Sequence, residues 1–226
     1  MYGKVKLSKR QLKEDWFTAF MLNSKQQFEE NWQYWAIGAV AIVLAVVGMT
    51  YYLNSKEDAN RLAATQLSLA STQYRQGNSQ VAILTLADIL TKYGGTSFAE
   101  QATFMLGKVN LETRNYEEAK HHFEMYLQKY PADPLNRAAA LAGLAVALEN
   151  QGKYAEAAEN FASAANDYPE SALLGDLHTG AMRNYLMAGQ VDKARIHFNV
   201  INEKFKGTDL ASSAGRLFYE KSQSSS

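Results

Sequence analysis

The side chains in this sequence best suited to acid–base or metal chemistry are four histidines, His121, His122, His178 and His197. A metal site needs ligands that converge on one point. A hydrolytic site needs a nucleophile, a base and an orienting group within hydrogen-bond reach of one another. His121 and His122 are adjacent, so on a helix they point about a quarter-turn apart and share no face. His178 and His197 fall on the two helices of one hairpin and could approach each other. The sequence contains no His-Glu-x-x-His, no Gly-x-Ser-x-Gly and no glycine loop that would cradle a phosphate. Gly94-Gly95-Thr96 matches a turn instead, and acidic pairs such as Glu117-Glu118 fall in first helical turns, where the helix dipole favours them. With no cysteine there is no disulfide, no thiolate metal site, no cysteine nucleophile and no lipidated cysteine anchor. The histidines read as solvated surface groups. The expectation is a protein without a catalytic site, metal or cofactor.

The elements that carry these residues read as helices throughout. Ala, Leu, Gln, Glu and Lys dominate, prolines occur only at 131, 134 and 169, and no window alternates with a strand period. The 23 basic and 23 acidic side chains balance, and no basic run, RNA-binding signature or zinc-finger signature appears, which argues against a nucleic-acid partner.

One stretch stands apart. Trp35 to Leu53 contains no charge, and the charge-free zone reaches from Asn31 to Ser55. Nineteen helical residues extend roughly 28 Å, about one hydrocarbon core. Trp32, Tyr34 and Trp35 at one end and Tyr51 and Tyr52 at the other match the aromatic belts of two interfaces. The stretch starts too late and runs too long for a cleaved signal, and Asn54-Ser55-Lys56-Glu57 offers no cleavage site, so an uncleaved anchor is expected. Lys4, Lys6, Lys9, Arg10, Lys13 and Lys25 precede it and Lys56 and Arg61 follow, a bias that places the head in the cytoplasm. Within the head, Leu12, Trp16, Phe17, Phe20, Met21, Phe28 and Trp32 are spaced as an amphipathic helix, either lying in the headgroup plane or docking on a membrane partner. Gly38, Ala41, Ala45 and Gly48 are small residues that would let two spans pack closely, or simply lipid-facing filler.

After residue 60 the chain repeats. Ala82–Leu86, Ala119–Phe123, Ala157–Phe161 and Ala194–Phe198 recur at intervals of 37, 38 and 37 residues. Thirteen positions before each alanine stands Leu69, Leu106, Leu144 or Ala181, and eight after each aromatic or leucine stands Gly94, Pro131, Pro169 or Lys206. The unit is a helical hairpin: Gly107 or Ala145 admits the second helix, the repeated alanines sit at the crossing, and the phenylalanines fill the gap to the next hairpin. Gly77, Gly152 and Gly189 are placed for left-handed caps; the second unit has Arg114-Asn115 instead, with Asn115 and Glu118 spaced as a capping pair. Asp133-Pro134 reads as an N-cap followed by a first-turn proline. Leu210, Ala214, Leu217 and Phe218 give residues 208 to 221 the stripe of a capping helix. No Pro or Gly occurs between Tyr51 and Arg75, so the membrane helix is expected to run into the first hairpin and hold the stack near the bilayer.

These residues resemble the tetratricopeptide repeat family. Leu106, Gly107, Tyr116, Ala119, Phe123 and Pro131 match its pattern, as do Leu144, Ala145, Gly152, Tyr154, Ala157, Phe161 and Pro169, and the likeness covers roughly residues 60 to 221. The expected architecture is all-α, with one N-terminal transmembrane helix, a solenoid of about four such hairpins and a capping helix. Its parts are a head at 1–34, a span at 35–53, repeats at 54–222 and a tail at 223–226. The resemblance implies a protein-binding wall formed by the first helices, here Leu67, Tyr74, Phe104, Lys108, Leu111, Val146, Arg183, Leu186 and Met187. Lys108 and Arg183 alone do not make the family's carboxylate clamp. The apolar members either form a groove for hydrophobic or unfolded segments or pack between neighbouring first helices.

The layout as a whole is similar to that of bacterial YfgM-type membrane proteins. That resemblance implies an inner-membrane protein, its repeats in the periplasm, working with the Sec translocon, periplasmic chaperones or unfolded exported clients. A scaffold for envelope assembly or cell-division coordination is the alternative, drawn from the Tyr-Pro turns (Lys129-Tyr130-Pro131 and Asp167-Tyr168-Pro169). The partner's identity and the oligomeric state stay open.

Overall fold

The computed structural model describes the backbone of residues 9–131 and 134–224 and the side chains of 32–131 and 134–222. The amphipathic stripe expected from Leu12 to Phe28 and the N-cap expected at Asp133 lie outside the described side chains. Among the described residues every regular element is helical: α1 (Lys9–Arg75), α2 (Ser79–Lys92), α3 (Ser97–Glu112), α4 (Tyr116–Lys129), α5 (Pro134–Asn150), α6 (Tyr154–Asp167), α7 (Leu174–Met187), α8 (Val191–Lys204) and α9 (Asp209–Ser224). The prolines explain part of this punctuation. Pro131 and Pro169 follow α4 and α6, while Pro134 opens α5, where a missing N–H forfeits no helical bond.

Compactness divides the chain into Met1–Glu57 and Asp58–Ser226. In the first unit the side chains from Trp32 to Leu53 are all exposed, Ile42 at 66% and Val46 at 56% among them. A core helix of a soluble protein would cover such residues. This is one helix long and apolar enough to cross a membrane. No residue between Tyr51 and Arg75 breaks α1, and its helix is continuous there.

The second unit is a stack of hairpins. Each helix from α2 onward packs on the next, α3 also meets α5, and α7 also meets α9. Ala82, Ala119, Ala157 and Ala194 are each 0% exposed, so the second helices cross where their side chains are smallest. Leu86, Phe123, Phe161 and Phe198 are buried beside them. Phe123 shows what the small residues of the first helices do. A β-carbon added to Gly107 of α3 would stand 2.8 Å from its ring, and one added to Gly143 of α5 would stand 2.4 Å from it.

The hairpin turns share one geometry. Gly77, Gly152 and Gly189 hold φ of +82°, +75° and +73°, and the next residue donates its N–H back to the end of the first helix: Asn78 to Gln73, Lys153 to Leu148, Gln190 to Tyr185. The second hairpin makes the same turn with a side chain in the way. Arg114 sits at φ +60° and the Asn115 N–H reaches the Asn110 carbonyl at 2.8 Å. The Asn115–Glu118 capping pair does not form, because the Asn115 amide turns back to Asn110 and Thr113. A β-carbon in the left-handed region is strained, so Arg114→Gly is expected to raise unfolding stability by about 1 kcal/mol in urea melts. A loss of stability would show that the Arg114 side chain does more for this turn than its backbone costs.

α9 closes the stack. Ala214 and Phe218 are buried, Phe218 stacks on Phe198 at 4.5 Å and 5°, and the Arg195 guanidinium lies over the Phe218 ring at 5.3 Å. The helix continues to Ser224, two residues into the segment expected as tail.

Candidate protein-binding surface

Polar contacts tie the first helices of successive hairpins together. The Tyr74 hydroxyl of α1 donates to the Glu112 carboxylate of α3, and the Ser71 hydroxyl reaches the Met105 sulfur at 3.6 Å. Its bond to Glu112, then burial, then the charge of Glu112 push the Tyr74 hydroxyl up to about 12. Farther along, Arg183 of α7 grips Glu149 of α5 with both ends of its fork, Nε at 2.8 Å and Nη2 at 2.7 Å. The pair is part-exposed, so its stabilisation is on the order of 1 kcal/mol, and its larger effect is to fix where the guanidinium points.

The residues expected on the wall divide between packing and presentation. Leu67 and Tyr74 are half-buried against the cluster built from α1, α2 and α3. Phe104 meets Phe123 edge-on at 5.8 Å and Tyr126 at 5.3 Å, with Leu111 packed in the same cluster. Val146 packs on the C-terminal cluster, and Leu186 is 5% exposed within it. Leu186 therefore belongs to the core rather than to a groove, within the cluster that α7 shares with α5, α6, α8 and α9. Lys108 is exposed and Met187 is 46% exposed. Arg183 and Met187 open onto a cavity of about 410 Å³ whose other walls are Glu149, Asn150, Tyr154, Leu217 and Lys221. Sequence reasoning used Tyr154 and Leu217 for a repeat signature and a capping stripe and did not bring them here. Their spacing gave no signal, since the cavity joins helices far apart in the chain. A second hollow, about 680 Å³, lies at the inter-repeat turns among Pro134, Leu135, Tyr168 and Pro169, where Arg137 Nε holds the Tyr168 hydroxyl at 3.0 Å.

Two histidines are not where a solvated reading puts them. His178 and His197 are 6% and 7% exposed, and their Nδ1 atoms meet at 2.9 Å. Tyr185 stacks on the His197 ring at 5.6 Å and 19°. Burial first, then Lys204, pushes His178 below the usual histidine range, and burial with the neighbouring His178 pushes His197 down to about 4. His122 is lowered as well, by burial and then by His121. Among the described residues no group of three or more His, Cys, Asp or Glu side chains could hold a metal ion.

The wall's architecture has a counterpart among known families. A family model described as "Tetratricopeptide repeat-like domain" matches residues 25–200. The chain belongs to that family. Two crystal structures titled as the nearly identical TPR-like repeats of a "Podosopora anserina putative kinesin light chain", one of them a single-substitution form, share its fold. Each is 17% identical with a TM-score of 0.58, over 73% of this chain and 86% or 87% of the other. At that identity the likeness concerns the fold alone. No curated protein matches the chain. As a tetratricopeptide repeat-like protein it has the fold of an interaction scaffold, and stacked repeats of this kind bind other proteins.

Proposed function

We propose that the protein is a membrane-tethered scaffold on the exported side of a bacterial inner membrane, where its first helices hold exported polypeptides at or near the Sec translocon. The observation that carries this reading is the joining, in one chain, of an exposed apolar helix of spanning length to a solenoid from a protein-binding family. The orientation follows the excess of Lys and Arg before the span. Of the expected groove, the part open to a partner is the stretch from Lys108 to the cavity beside Arg183 and Met187, while Phe104 and Leu111 mainly pack.

Photo-crosslinking amino acids placed at Lys108 and at Met187 test the reading in living cells, with one at exposed Tyr219 on α9 as a reference. Crosslinks to the translocon channel or to a defined exported client, from the first two positions and weaker from the third, are the expected result. Crosslinks to envelope-assembly or cell-division proteins would move the scaffold to that task. A C-terminal alkaline phosphatase fusion that is inactive would place the repeats in the cytoplasm and defeat the proposal.

A further inference from the structure

Binding a partner at the wall leaves one tightly built polar contact unused, the histidine pair between α7 and α8. Two imidazole nitrogens at 2.9 Å need one proton between them, one ring donating and the other accepting. Two bare lone pairs, or two N–H groups, would repel at that distance. The pair is therefore a joint that holds a single proton. Its position makes the joint consequential. Tyr185 covers one face of His197, and the next residue along α8, Phe198, carries the stack with Phe218 that seats α9.

We propose that His178 and His197 form a proton-operated joint: a proton between their Nδ1 atoms fastens α7 to α8 as long as one ring stays neutral, and charging both rings loosens α7, α8 and α9 together. A first added proton goes to the free Nε2 of the donating ring, whereas charging both rings puts an N–H on each Nδ1.

The groups around the pair offer an added proton little compensation. From α8, Lys204 acts on His178, a cation beside a ring that would become one. Lys193, also on α8, lies over the Tyr185 ring at 5.2 Å. From α6, Glu159 acts on Tyr185 and stands 3.9 Å from Lys193. From α5, Glu149 is held by Arg183, on the same helix as His178. From α9, Phe218 and Tyr219 pack on Phe198, and the Arg195 guanidinium covers Phe218. The direction of the effect follows from proton binding. His197 takes its proton near 4 in the fold, whereas an unfolded histidine takes it near 6.5. Between those values the opened chain binds more protons, so the neutral joint contributes fully above about pH 6.5 and its contribution drains away as pH falls toward 4.

Hydrogen exchange of the full-length protein in lipid nanodiscs, at about pH 7.5 and about pH 5 with intrinsic rates corrected, reads this directly. The opening of α7, α8 and α9 is expected to rise about 30-fold at the lower pH, because at about pH 5 an opened histidine is mostly charged while His197 in the fold is not, whereas α2 and α3, which carry no histidine, change little. His178→Gln combined with His197→Gln keeps an N–H-to-acceptor contact without a titrating group, and its exchange is expected to stay nearly flat. Equal loosening in wild type and the double variant would overturn the proposal, as would loosening spread evenly over all hairpins. Should the double variant not fold, imidazole nitrogen shifts of the wild type decide. One ring still neutral at about pH 5 supports the joint, and both rings charged with unchanged exchange sinks it.

Discussion

Gly143→Ala is expected to lower unfolding stability by about 1–3 kcal/mol, even though alanine is the better helix former by about 1 kcal/mol. The added β-carbon would stand 2.4, 2.6 and 2.8 Å from three atoms of the Phe123 ring, distances that demand movement. The ring has little room to retreat. Gly107 of α3 already lies against it, Phe104 meets its edge, and the side chain is 1% exposed. Removing the ring is the larger loss, and Phe123→Ala should cost about 3–5 kcal/mol. The two effects are coupled, so Gly143→Ala with Phe123→Leu should destabilise less than the two single changes added together. Gly215→Ala in α9 is the control, because its nearest neighbour would be Phe198 at 3.9 Å and it should be neutral or mildly stabilising. Urea melts followed by circular dichroism give all these values. If Gly143→Ala were as stable as the native chain, Phe123 would not be the wedge between α3 and α5.

That wedge also marks how far the sequence can be read. Ala119, Phe123 and their equivalents were legible because each hairpin repeats one packing problem, and a repeated solution stands out as a period. The caps at Gly77, Gly152 and Gly189 were legible for a related reason, since a hairpin must reverse and glycine reaches positive φ without strain. Gly143 was not, although the same fit recurs 37 positions on, where a β-carbon on Gly180 of α7 would stand 2.8 Å from the Phe161 ring, because the other two copies carry Ser68 and Met105 at that place and the period is broken. The Asn115–Glu118 spacing suited a capping pair, yet the turn through Arg114 aims the Asn115 amide backward, and spacing carries no such direction. At the wall, the repeat register located the first helices correctly but could not divide their residues into those facing a partner and those facing a neighbouring helix. Leu186 and Met187 are adjacent in sequence, and one is buried while the other is open. An approach of His178 to His197 could be drawn from the hairpin alone, but their burial, with Tyr185 over the His197 ring, is set by packing that no local pattern reveals.

Two lysines at the centre of the apolar stretch, Leu44→Lys with Val47→Lys, should release the protein from the membrane. On insertion scales each charge at mid-span costs about 2.5–3.5 kcal/mol, whereas each Ile, Val or Leu contributes only about 0.3–0.6 kcal/mol. The aliphatic residues between Ile37 and Leu53 together supply roughly 4 kcal/mol, less than the pair of charges removes. The native chain is expected in the carbonate-resistant membrane fraction and the variant in the soluble one. Leu44→Ile with Val47→Ile should behave like the native chain. Thermal unfolding of the repeats should be the same in all three, because the second compact unit begins only at Asp58. A soluble origin for the helix predicts something different. Leu44 and Val47 are 66% and 57% exposed in the isolated chain, so in water two lysines there would improve solubility without moving the protein between fractions. Native protein that stayed in solution without surfactant would remove the tether on which the exported-scaffold reading depends, while leaving the hairpin stack and its histidine joint as they are.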